Sequence, residues 1–265
     1  MIRLSRFLSL WLAGGFLLLY LPIALLVAIS FNDSRLTTEW TGLSLRWYRA
    51  LAADNALTGA AWLSLRVGVA SATLATVLGG AAGVALARFG RFAFRPVFTG
   101  LLTAPLVLPD LLIGLSLLLL FVVLEQAIGW PAGRGALTII LAHATVGLAF
   151  VAITVQARLA DAGTMLEEAA MDLGATPARA FLRITLPLMA PALAAGWLLA
   201  FTLSLDDVVV ASFVSGPGAS TLPMVVFSTL RLGATPVLNA LATVLLALIA
   251  TLLLAASRLG PVLRR

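Results

Sequence analysis

The chain has 265 residues, 62% of them hydrophobic and only 11% charged, with a mean hydropathy of +1.10. Soluble domains average roughly 45–50% apolar and about 25% charged residues, so a soluble domain, a disordered chain, collagen and a coiled coil are all excluded, and a polytopic, all-α membrane protein remains. All 17 basic residues are arginine and cysteine is absent. Without a lysine there can be no standard phosphate-binding loop, and without cysteine no disulfide, thiolate metal site or thiol nucleophile. The net charge of +6 forms no basic stripe suited to nucleic acid, because the arginines sit at the ends of apolar runs.

Six stretches reach the roughly 20 apolar residues that about 30 Å of hydrocarbon requires. They are Leu8–Phe31, Leu65–Ala87, Val97–Leu124 (interrupted by Pro105 and Pro109), Ala136–Val155, Pro191–Val214 and Val237–Ser257. Arg3 and Arg6 precede the first, and Ala28-Ile29-Ser30 has the look of a cleavage site. Its apolar core nevertheless exceeds the roughly 7–15 residues of a signal peptide, so it reads as an uncleaved span. Arg3, Arg6, Arg88, Arg91, Arg95, Arg158, Arg179, Arg183, Arg258, Arg264 and Arg265 fall on one side of this arrangement. Arg35, Arg46, Arg49, Arg134 and Arg231 fall on the other. This imbalance predicts both termini in the cytoplasm.

The whole chain, 1–265, therefore reads as one transmembrane domain with an outer loop at 32–60 and a cytoplasmic loop at 156–188. Trp40, Trp47 and Tyr48 in the outer loop suit a membrane interface, and a short helix lying on the membrane is expected there. Gly79, Gly80 and Gly83 carry the small-residue spacing of close helix contact. Glu125 is expected to end the third span at the outer surface. His143, the only histidine, reads as a hydrogen-bonded packing residue rather than a proton relay. No period of about 20–50 residues recurs, so no solenoid is present.

The cytoplasmic loop has the most definite local design. Thr164 and Glu167 have the T-x-x-E spacing of a capping box, which predicts a helix from Met165. Leu166, Ala169, Ala170 and Leu173 share one face of it, and Gly174 ends it in the left-handed conformation. Thr176 and Pro177 open a second short helix over Ala178–Ile184, and Pro187 closes the unit. The result is an apolar stripe flanked by Glu167, Glu168 and Asp172, shaped to dock into a partner.

The residues Glu168-Ala169-Ala170, Gly174, Ile184 and Leu186-Pro187 match, without a gap, the E-A-A-x3-G-x9-I-x-L-P signature of inner-membrane permeases of type I ATP-binding-cassette importers. The chain resembles that family over nearly its whole length. The resemblance implies a six-helix permease in which Glu168, Ala169, Ala170, Gly174, Ile184, Leu186 and Pro187 form a coupling helix seated on an ATPase dimer. It implies further partners: a second, different permease, a periplasmic solute-binding protein and membrane lipid. It also implies that this chain is no enzyme and binds no cofactor, with ATP and Mg used by the ATPase subunit.

Acids within spans are costly, at least about 2.5 kcal/mol on insertion scales, and are functional candidates. Asp110, Asp206 and Asp207 stand out as a substrate pathway. Adjacent helical residues point about 100° apart, so one of the Asp206/Asp207 pair can face a pathway while the other meets a neighbouring helix. Two desolvated carboxylates favour a site that a cation relieves. Capping of a broken helix remains open for Asp110, and structural pairing for the other two. The runs Ser204–Val210, Phe213–Gly218, Thr221–Met224 and Asn239–Thr243 resemble the spermidine and putrescine permeases, nearest to the putrescine branch. That branch often has a glutamate where this chain has Asp110. A polyamine cargo agrees with the carboxylates. The alternatives are the same machinery with a ferric ion or an organophosphonate, and, from another class, an ion-coupled secondary transporter. An ion channel would need a selectivity-filter motif, which the sequence lacks.

Overall fold

A computed structural model of the chain describes residues 6–36, 39–233 and 235–259. Arg3, Arg264, Arg265 and both chain ends lie outside the described residues, and with them the expected cytoplasmic position of the termini. Among the described residues the only regular secondary structure is helical. In chain order the helices are α1 (Arg6–Ser30), α2 (Arg46–Ala53), α3 (Asn55–Arg88), α4 (Arg95–Val107), α5 (Asp110–Ile128), α6 (Ala136–Ala162), α7 (Met165–Asp172) and α8 (Pro177–Ala180). A π-helical turn (Phe181–Thr185) then leads into α9 (Leu186–Asp206), followed by α10 (Val209–Val214), α11 (Leu222–Leu232) and α12 (Pro236–Leu259). Five helical stretches among the described residues are long and apolar enough to cross a membrane. The sixth apolar stretch expected from the sequence is the 24-residue α12.

The chain divides into two compact units, residues 59–227 and residues 1–58 with 228–265. In the smaller unit, α12 packs against α1 and α2. The segment after α1 is tied down by Asn32. Its side-chain amide donates to Glu39 O, its Oδ1 accepts from Thr41 N, and its carbonyl accepts from Trp47 Nε1 at 2.7 Å. The expected short helix is α2, but Trp47 is not an interface anchor. It is 8% exposed while Trp40 is 59% exposed, because the indole N–H has found a buried carbonyl. The second span also begins earlier than Leu65, at Asn55, where the Asp54 carboxylate accepts the N–H groups of Ala56 and Leu57 and caps the helix.

In the larger unit, α6 is the central element and its main neighbour is α9. Gly79 and Gly83 on α3 let it approach α6 closely. A Cβ at Gly79 would lie 2.5 Å from Leu148 O, and one at Gly83 would lie 2.6 Å from Ala152 O. That is the close contact their spacing predicts. Val151, Val155 and Leu159 of α6 pack with Ala72 and Ala75 of α3 and with Met189 and Ala192 of α9.

The third span is broken at one proline, not two. Pro105 lies inside α4. The chain leaves the helix at Leu108 and Pro109, both extended (ψ 141° and 140°), before α5 starts at Asp110. Residues preceding proline are pushed out of the helical region, and at Leu108 the chain follows that preference. Glu125 lies in the last full turn of α5, where its Oε1 accepts from Gly133 N at 3.0 Å.

Candidate functional site

Two places in the larger unit bring functional side chains together. The first is a cavity of about 400 Å³ where two helix interruptions meet. Asp110, the first residue of α5, comes from one. The other lies between α9 and α10, where Asp207 is extended (ψ 129°). The cavity is lined by Asp110, His143, Ser204, Asp206 and Asp207, with Val146, Leu203, Val208 and Val209 among its apolar walls. Asp110, Asp206 and Asp207, the three acids expected within spans, all line this one cavity.

The three carboxylates are not equivalent. Asp110 and Asp206 are exposed, whereas the Asp207 side chain is only 15% exposed. Its Oδ1 accepts from Val210 N at 3.2 Å and its Oδ2 from Ala211 N at 2.7 Å, so it caps α10. His143 Nε2 lies 3.1 Å from the same Oδ2. The other ring nitrogen, Nδ1, lies 2.6 Å from Ser204 Oγ, and Ser71 donates to Ser204 Oγ at 3.2 Å. With Asp207 ionised, Nε2 carries a hydrogen and donates it. Ser204 Oγ, set between Nδ1 and Ser71 Oγ, carries the network on to α3. The adjacent pair divides at the end of α9 rather than by the step between neighbouring helical residues: Asp206 opens to the cavity, while the extended Asp207 is held by His143 of α6 and the amides of α10.

His143 is hydrogen-bonded and buried, as expected, but it also lines the cavity and grips one of its acids. That role has no local signal, because His143 and Asp207 are 64 positions apart in sequence. Ser71 and Ser204 are likewise recognisable only once α3, α6 and α9 are together.

The second place is the hairpin between α6 and α9. α7 begins at Met165, as expected, but not through a capping box. Thr164 makes no side-chain cap, and only its carbonyl accepts, from Glu167 N and Glu168 N. Glu167 has better partners elsewhere. Arg88 Nε donates to both its carboxylate oxygens, at 3.1 and 2.9 Å, and Thr185 Oγ1 donates to Oε1 at 2.7 Å. The helix ends as its sequence predicts. Gly174 has φ +86°, its N–H bonds Met171 O, and Ala175 N bonds Ala170 O, which is the Schellman pattern. Thr176 Oγ1 accepts from Arg179 N and Pro177 opens α8.

Pro187 does not close the unit. α8, the π-helical turn and α9 run on without a break, and Leu186 N reaches back to Phe181 O. A proline ring collides with the carbonyl four residues before it in a regular helix, and the wide turn lies just before Pro187. Of the signature residues, Glu168 and Ala169 on α7 are exposed and Ala170 is half-buried. Gly174 ends α7, Ile184 lies in the π-helical turn, and Leu186 and Pro187 begin α9. Leu166 and Leu173, on the predicted apolar face, are 56% and 91% exposed. The face is formed and uncovered.

Residues 75–263 match the model of the family described as "binding-protein-dependent transport system inner membrane component". The chain is 57% identical over 231 residues to the putrescine transport system permease protein PotI of Escherichia coli K12, covering 87% of this chain and 82% of that protein. It is 42% identical over 239 residues to the spermidine/putrescine transport system permease protein PotC of the same strain, covering 88% of each chain. Its fold is similar, at a TM-score of 0.69 and 17% identity, to a chain of the crystal structure of a bacterial ABC transporter involved in the import of the acidic polysaccharide alginate, covering 100% of this chain and 99% of that one. With its helical architecture and the E-A-A-x3-G-x9-I-x-L-P residues in place, the chain belongs to the binding-protein-dependent transport system inner membrane component family, as a multi-pass, non-hydrolytic permease subunit.

Proposed function

We propose that this chain forms part of the membrane pathway of an ATP-driven importer of polyamines, putrescine first and spermidine second. The observation that carries the cargo assignment is the cavity on which Asp110, Asp206 and Asp207 converge. An ammonium group leaves water at low cost only where carboxylates replace its hydration, and the methylenes between two ammonium groups need apolar walls. The cavity offers both, with Val146, Leu203 and Val209 beside the acids. The names of the relatives support the same class of cargo.

Asp110 and Asp206 are the groups that meet the cation. Asp207, locked by His143 and the α10 amides, sets the negative potential and the shape of the wall. α7 is the coupling helix, and its uncovered stripe seats in a groove of an ATPase dimer. Glu168, Ala169, Ala170, Gly174, Ile184, Leu186 and Pro187 maintain its form and join it to the fifth span. This chain binds no cofactor, and ATP and Mg act in the ATPase. A solute-binding protein delivers cargo at the outer face, near loop 32–60, and a second, different permease completes the pathway. Loop 156–188 and both termini face the cytoplasm.

Uptake of labelled putrescine and spermidine tests the cargo, in cells lacking their own polyamine import and supplied with this chain and its partner subunits. ATP-dependent accumulation is expected. Transport of ferric ion or an organophosphonate instead would replace the cargo, and uptake that follows an ion gradient and ignores ATP would replace the mechanism. Glu168→Arg places a cation on the docking helix and is expected to leave the chain in the membrane while stopping uptake. Undiminished uptake would remove α7 from coupling.

A further inference from the structure

α7 has no buried residue, so apolar burial does not fix its position. One side chain does. Glu167 is only 14% exposed and pairs with Arg88, 11% exposed. The Arg88 guanidinium engages all three of its nitrogens: Nε donates to Glu167, Nη1 to Leu159 O at 3.0 Å and Nη2 to Gly163 O at 2.8 Å. Thr185 in the π-helical turn donates to the same carboxylate. The end of α3, the last turns of α6, the Gly163 linker, α7 and the entry to α9 therefore meet at one polar knot. A planar guanidinium bonded to a carboxylate and two carbonyls has one geometry, so α7 cannot shift without carrying these elements with it.

We infer that Arg88, Glu167 and Thr185 form the rigid joint through which displacement of α7 reaches the spans, with Arg88 and Glu167 acting as positioning residues for coupling. The inference rests on the assignment of α7 as the ATPase-docking helix. Its action is mechanical. A loosened joint leaves the docking face intact and lets ATP hydrolysis proceed while the spans follow it poorly.

The test uses the complete transporter, with ATPase, second permease and binding protein, in liposomes, and records putrescine import and ATP hydrolysis together. In Glu167→Gln and Arg88→Gln the ATPase is expected to stay bound and active while imported putrescine per ATP falls about tenfold. Asp161→Asn, an exposed acid near the joint but outside it, is expected to keep the wild-type ratio. Thr185→Val keeps the ion pair and removes one hydrogen bond, giving a smaller fall, and it decides the matter by the same ratio if the charge variants do not assemble. Import and hydrolysis falling in parallel at a constant ratio would show a merely structural knot and overturn the inference. Variants indistinguishable from wild type would overturn it equally. Loss of the docking assignment itself would appear separately, as a wild-type chain that fails to bind the ATPase.

Discussion

His143→Ala tests whether the cavity wall is built as its hydrogen bonds indicate. The substitution deletes the 2.6 Å contact to Ser204 and the 3.1 Å contact to Asp207. Neither partner is wholly abandoned: Ser204 keeps Ser71, and Asp207 keeps the N–H groups of Val210 and Ala211. The bond to the carboxylate is charge-assisted and worth about 1.5–3 kcal/mol, and the bond to Ser204 about 1 kcal/mol. The side chains of His143 and Asp207 are 4% and 15% exposed, so little solvent screening reduces these values, and the space left by the imidazole adds to the loss. A total near 3 kcal/mol should lower the melting temperature of the purified transporter by on the order of 5–10 °C. Asp207→Asn keeps one oxygen for His143 Nε2 and Ala211 N but turns its NH2 toward the Val210 N–H, and Ser71→Ala removes only neutral 3.2 Å contacts, to Ser204 Oγ and Gly68 O. The expected order of destabilisation is therefore His143→Ala, then Asp207→Asn, then Ser71→Ala, measured by thermal unfolding in one detergent. His143→Ala melting with the wild type, or Ser71→Ala melting below His143→Ala, would refute the network.

Gly79→Ala must displace a carbonyl that would stand 2.5 Å from the new Cβ, so it is expected to cost about 1–3 kcal/mol. Gly100→Ala, with nothing within 4 Å, is expected to stabilise α4 by up to about 1 kcal/mol, and the two melting temperatures check both. Asp206→Asn and Asp110→Asn leave the His143 network untouched. They are expected to lower putrescine uptake about tenfold or more without changing the melting temperature, as transport and unfolding measured on the same preparation would show. Gly174→Pro cannot adopt φ +86° and loses the N–H that bonds Met171 O. It is expected to leave the chain in the membrane and abolish uptake, checked by membrane fractionation and transport.

What could be read in the sequence divides by the range of the interactions involved. The end of α7 was legible because its two bonds, Gly174 to Met171 and Ala175 to Ala170, lie within six residues and need only a glycine able to turn left-handed. The apolar runs were legible because span length is set by the bilayer rather than by tertiary contacts. Pro109 and Pro105 show the limit of that reasoning. Both are helix breakers by composition, yet only Pro109 is followed by a new helix start, and nothing within a few residues of either distinguishes them.

Glu167 shows the same limit where function is concerned. By spacing it caps α7 through Thr164, a bond between neighbours. Folding brings Arg88 to it from 79 positions away and Thr185 from 18, and a part-buried ion pair with a guanidinium together with a hydroxyl donor outcompetes a single bond to one backbone N–H. The arginine excess that marks Arg88, Arg91 and Arg95 as a topology signal conceals two structural duties. Arg88 holds Glu167, and Arg95 donates to Leu86 O at 2.8 Å and to Gly90 O, closing the end of α3. A residue counted for its charge on one side of a membrane can thus also determine where the docking helix stands. The two roles are compatible because each requires the guanidinium at the same end of the same span.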